Sequence, residues 1–175
     1  MKSNAKRITS TGLFLALAIL FQNLRLIPFL SEANPLSPFV IGSLVNLVII
    51  AACVEIGFWP AALISICTPV VALLQGQLKL PFMVGVVALG NLVLAAGCFA
   101  FKKNPKLQPV GMLVGAIAKF GFFLLSVPLT FSWFVGTGVP AAVAGNFLGW
   151  AQLITALIGG VLALLILPVL RKIKR

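Results

Sequence analysis

Six long apolar stretches follow one another along this chain, at approximately 9–27, 37–54, 59–74, 82–101, 110–133 and 144–170. A helix needs about 20 mostly apolar residues, within a range of roughly 17 to 25, to cross the hydrocarbon of a bilayer. Each stretch is near that length, and breaks rich in Pro, Gly or charge separate them at 28–38, 55–60, 75–81, 102–109 and 134–140. In lipid a backbone must satisfy its own N–H and C=O groups, which for consecutive apolar runs means helices. The pattern predicts an all-α membrane protein of six transmembrane helices, one domain over 1–175 with no soluble domain.

Composition agrees. Hydrophobic residues make up 61% of the chain and charged residues 9%, far from the usage of soluble domains. A soluble domain of this size leaves roughly a third of its unfolded-chain surface in water, which such a sequence would cover with hydrocarbon. The net charge of +11 does not point to nucleic acid, because the basic residues lie at the joints between apolar runs and not along one groove or helix face. Cys53, Cys67 and Cys98 are scattered, lack CxxC spacing and read as small buried hydrophobes. Lys2, Lys6 and Arg7 ahead of the first apolar stretch resemble the start of a secretory leader. Arg25 and Pro28 then follow in place of a small-residue cleavage site, so the segment reads as a retained helix.

Orientation follows from Lys and Arg, which stay in cytoplasmic loops. With the N-terminus inside, Lys2, Lys6, Arg7, Lys102, Lys103, Lys106, Arg171, Lys172, Lys174 and Arg175 are cytoplasmic. The outer loops keep only Lys79. Both termini are expected in the cytoplasm, and the location is the inner, or plasma, membrane.

The chain has no His, no Asp and no Tyr, which removes most hydrolytic, redox and metal mechanisms. No nucleophile elbow or phosphate-binding loop is present. The expectation is a non-enzyme without cofactor or metal, and any uphill transport must draw its energy from another subunit.

Polar side chains inside a membrane are expensive and carry function. Gln22, Asn23 and Arg25 fall in the outer third of helix 1, Gln75 and Gln77 at the outer end of helix 3, and Asn146, Trp150, Gln152 and Thr155 in the outer half of helix 6. Asn46, Asn91 and Lys119 fall near the midplane. The inner half is mostly Ala, Leu, Ile, Val and Gly. This asymmetry predicts an outward-facing polar cavity over an apolar floor, suited to capturing a solute and not to a continuous aqueous pore. Lys119 has no acid within the membrane to pair with, so it is expected to meet an anionic or strongly accepting group on a ligand. The competing reading is a lysine bonded to carbonyls or neutralised by desolvation. Asn23 and Asn46 are equally well explained as amides bonded to a neighbouring backbone. Arg25 can snorkel to the interface, while Trp133 and Trp150 could stack on a flat ligand or belong to the interfacial belt, where Trp59 is placed. Small residues four apart, namely Gly12 with Ala16, Gly111 with Gly115, and Gly145 with Gly149, suit close helix contacts.

Local patterns over almost the whole length resemble the substrate-binding subunit, or S component, of energy-coupling factor (ECF) vitamin transporters. They are TGLFLALAILFQ at 11–22, LVNLVIIAACVEIGFWPAALISICTPVVALLQG at 44–76, PFMVGVVALGN at 81–91 and QLITALIGGVLAL at 152–164. The resemblance implies an S-component-like bundle that takes a vitamin-like small molecule from outside, beneath a lid at 28–38. It then topples on docking to a membrane coupling subunit driven by two ATPase subunits. Gly12 and Ala16 would face that coupling subunit, with GxxxA standing where the family usually has AxxxA. The candidate substrate-binding residues are Lys119, Asn91, Gln152, Asn146, Trp150, Gln77, Gln22 and Arg25. The alternative is a structural membrane protein of cell-envelope machinery with a similar six-helix shape. The ligand is not named by the sequence. Lys119 suits a carboxylate or phosphate, and the amides of Asn91 and Gln152 suit a hydrogen-bonding heterocycle.

Overall fold

The computed structural model describes residues 2–30, 34–78, 81–133 and 149–173. Among them the chain is all helical: α1 (Lys2–Asn23), two 3-10 turns (Leu24–Leu26 and Pro28–Leu30), α2 (Ser37–Glu55), α3 (Phe58–Leu74), α4 (Phe82–Ala100), α5 (Gln108–Trp133) and α6 (Trp150–Ile173). Five of these are long and apolar enough to cross a membrane, and α3 is a shorter apolar helix of 17 residues. This is a multi-pass membrane protein.

The apolar stretches and the helices differ most at the two ends of the chain. Helix α1 starts at Lys2, well before the hydrophobic run, and the Thr9 and Thr11 hydroxyls donate back to the carbonyls of Ala5 and Arg7 within it. Hydropathy marks where lipid would begin, whereas the helix continues as long as its backbone bonds are made. The last helix is described from Trp150 onward; the earlier part of the predicted stretch, with Gly145 and Asn146, lies outside the described residues.

Helix α2 is the hub, packed against α1, α3, α4 and α6, while α5 packs on α4 and α6. Most of its membrane-length window is buried, and only 11% of the window in α1 is. Helix α1 therefore lies at the periphery, with Ala18, Phe14 and Leu15 toward the core and others outward, among them Leu13 and Leu20.

Glycine sets the closest approaches. A Cβ on Gly97 of α4 would come within 2.5 Å of the Gly115 Cα of α5, and one on Gly111 within 3.1 Å of the Gly97 carbonyl oxygen. The Gly111 and Gly115 pair is thus a helix contact within the chain, as its spacing predicted. On the other side, a Cβ on Gly159 of α6 would meet the Asn46 Cβ at 2.7 Å. Nothing lies within 4 Å of a Cβ placed on Gly12.

Arg7, Lys102 and Arg171 gather at one end. Arg171 donates to Glu55 at 3.0 Å and to Gln108 at 3.1 Å, and Gln108 donates to the Lys102 carbonyl at 2.9 Å. Arg7 and Lys102 both approach the glycine turn at Gly57 between α2 and α3. These contacts tie the start of α1, the α2–α3 turn, the α4–α5 turn and the end of α6 together. Between this end and the middle of the bundle runs a continuous apolar core that includes Ile49, Ile50, Leu94, Met112, Ala163 and Leu167.

Candidate ligand-binding cavity

The opposite half of the bundle holds a cavity of about 300 Å³, at the lower end of the usual size of small-molecule sites. Its wall is built from the end of α1, the first half of α2, the end of α3, the first half of α4, the middle of α5 and the start of α6. Those six segments lie away from the Arg171 end, so the amides and the lysine that line the cavity converge in one half of the protein.

Lys119 anchors the floor. It is 1% exposed, and its Nζ donates to Asn46 Oδ1 at 2.9 Å and Asn91 Oδ1 at 2.8 Å. One turn further along α5, the tip of the Phe123 ring packs against Gly90, where a Cβ would stand 2.4 Å from its Cζ. That contact brings the same face of α5 onto α4, and Lys119 thereby meets Asn91. The Phe123 ring centroid is 6.0 Å from Nζ, at the outer reach of a cation–π contact.

Asn46 is the junction. Its Nδ2 donates to Thr155 Oγ1 at 3.2 Å, and Thr155 donates on to the Gln152 carbonyl. The bare Gly159 surface lets α6 lie against Asn46, which puts Thr155, one turn earlier, within reach. A lysine, two asparagines and a threonine thus join α2, α4, α5 and α6 in one polar network in the middle of an apolar bundle.

The upper wall is shaped by turn chemistry. Helix α3 ends in a left-handed glycine, Gly76 at φ +74°, with Gln77 N–H bonded to the Ala72 carbonyl and Gly76 N–H to that of Leu73. These are the two bonds of a Schellman cap, and they turn Gln77 back to the cavity. Gln77 donates to Gln75, and Gln75 donates to Asn23 on α1 at 2.9 Å. Gln22 crosses from α1 to donate to the Thr68 carbonyl of α3 at 2.8 Å, beside the buried helix-interior Pro69. The turn that enters α2 is fixed too, since Ser37 donates to the Leu30 carbonyl and Asn34 to that of Phe29.

Of the residues expected to bind substrate, Lys119, Asn91, Gln152, Gln77, Gln22 and Arg25 all line this one cavity. Trp150 does not: it is 67% exposed, with its ring 4.9 Å from that of Phe120. Asn146 lies outside the described residues. Asn23 bonds the Ile19 carbonyl one turn back, the local backbone partner considered for it. Asn46 instead bonds two side chains on other helices. The expectation that Lys119 must find its acceptor on a ligand needs amending, because two asparagine oxygens already accept from it.

Asn46, Thr68 and Thr155 are the cavity and network residues that sequence reasoning left out of the candidate set. The available signal was depth: Asn46 and Asn91 fall at the same level as Lys119, and a donor-only cation without an acid needs amide oxygens at its own level.

Compared with family models, curated proteins and solved structures, the chain matches none.

Proposed function

We propose that this chain is the substrate-binding subunit of an ECF-type importer, with six membrane spans and both termini in the cytoplasm of a plasma-membrane protein. It takes a vitamin-like small molecule from the outer face and passes it inward with a coupling subunit and two ATPases. The observation that carries this reading is the convergence of Gln22, Gln77, Asn91, Lys119 and Gln152 on one cavity, in the half of the bundle away from the basic end. Clustered basic residues mark the cytoplasmic side, so the cavity opens outward and the apolar core closes it from within. The unpartnered side of Gly12 and Ala16 on peripheral α1 supports a coupling subunit docking there.

Mass spectrometry of the denatured, detergent-purified chain tests the proposal. A co-purifying small molecule, depleted in a Lys119→Met preparation, is the expected result. Repeated absence of any small molecule favours the alternative, a cell-envelope scaffold. One feature supports that alternative: Lys119 is bonded within the protein, as helix-joining polar residues are.

A further inference from the structure

Lys119 fixes the polarity of the cavity. A lysine amine hydrogen-bonds through its N–H groups and an ammonium has no acceptor, so both asparagines that meet it present their Oδ1 atoms. The Asn91 Nδ2 group is thereby turned away from Lys119 as a donor. The floor of the cavity therefore offers hydrogen-bond donors.

Gln22 on the wall has the opposite character. One hydrogen of its Nε2 goes to the Thr68 carbonyl, which can only accept, and that bond fixes which way round the amide lies. The other end of the amide is Oε1, an acceptor. Gln22 is 5% exposed, and its Oε1 is buried with no hydrogen-bond partner among the described residues. Buried amide oxygens are normally matched by a donor, and an unmatched one in a native structure calls for a missing partner.

Resting on the solute-capture reading above, we infer that the cavity selects a ligand with two distinct ends, an acceptor such as a carbonyl set on Lys119 and Asn91, and an N–H or O–H donor set on Gln22. The ligand class is a small heterocyclic amide or urea, in which ring N–H and carbonyl lie side by side. A simple monocarboxylate would satisfy the floor and leave Gln22 unmatched. The apolar cavity walls at Ile41, Val45 and Val87 suit the faces of a ring.

The test is a thermal-shift comparison on the detergent-purified full chain with three sets of probes. These are uracil, 2-pyridone and 2-imidazolidinone; their fully N-methylated counterparts; and benzoate and butyrate, which have no donor. The expected result is stabilisation by at least one N–H compound, with affinity lower by roughly tenfold or more in its methylated counterpart, the scale of one lost buried hydrogen bond. In Gln22→Met that discrimination should shrink toward unity. If methylated compounds bind as well as their parents, or the carboxylates alone bind, the two-ended inference is overturned and solute capture stands. If no probe of any set stabilises the protein and no small molecule co-purifies with it, both fall. A Gln22→Met chain that fails to fold does not affect the test, because the wild-type comparison decides it.

Discussion

Arg171 at the end of α6 and Lys119 in the middle of α5 are each held by two side-chain oxygens, but in different surroundings. Arg171 is about one-third exposed and faces a carboxylate, Glu55, so the charge is compensated where water can still reach it. Lys119 is fully buried, and both of its acceptors are neutral amides. Neutral amides accept from the lysine amine without supplying a countercharge. The network around Arg171 ties helix ends together, while that around Lys119 adjoins an open volume.

Removing Asn46 should separate the two regions most clearly. Asn46→Leu takes away one of two acceptors from a buried lysine amine, at about 1–3 kcal/mol for a buried donor left unsatisfied. It also removes the Thr155 bond, at about 0.6 kcal/mol on the scale of interhelical bonds in membranes. Reversible denaturation in micelles would measure the loss. Lys119→Met should cost less, because the donor that demanded those acceptors leaves with it. The double variant should then be less destabilised than the sum of the singles, since the two residues share one network. Strict additivity would mean that they are not energetically coupled.

The next effect concerns packing. Gly159→Leu places a side chain where a Cβ alone already meets Asn46 at 2.7 Å and the Ser43 carbonyl oxygen at 2.8 Å. Overpacking of this kind costs about 1–3 kcal/mol. It should also push Thr155 off Asn46, so affinity for the proposed ligand should fall along with stability. Unchanged ligand affinity in a destabilised Gly159→Leu chain would show that the network does not shape the cavity.

The helices and the end at which the polar residues gather were legible in the sequence because both depend on one-dimensional quantities, the length of an apolar run and the depth of a residue along it. Pairing was not. Whether Lys119 meets Asn91 depends on which face of α5 lies on α4, and that is set by Phe123 fitting on Gly90 and by the Gly97–Gly115 approach. Trp150 shows the same gap from the other side, since its depth placed it near the cavity while its helix face turns it outward. The start of α1 was missed because Lys, Ser and Asn continue a helix that hydropathy no longer marks.

At the Arg171 end the effects should be small. Glu55→Gln removes the ion pair but keeps an amide oxygen for Arg171. An ion pair with one partly exposed member contributes on the order of 0.2–1 kcal/mol. The difference between wild type and variant should narrow further at high salt, where exposed charges are screened. A loss as large as that of Asn46→Leu would show that this end holds the bundle together as firmly as the buried network.

The smallest effect on stability is expected from the most drastic change of size. Gly12→Leu combined with Ala16→Leu adds two bulky side chains to the exposed face of α1, where a Cβ on Gly12 meets nothing within 4 Å. Surface substitutions away from packed features usually stay within about 0.5 kcal/mol, so micelle stability and ligand retention should match the wild type. If α1 docks on a coupling subunit through these two small residues, uptake in cells should nevertheless be lost, because helices that meet through small residues cannot approach past leucine. Intact stability with intact uptake would remove Gly12 and Ala16 from the docking face, and a destabilised chain would place α1 inside the bundle's own packing. Only loss of uptake with stability and ligand retention preserved assigns the outer face of α1 to a partner.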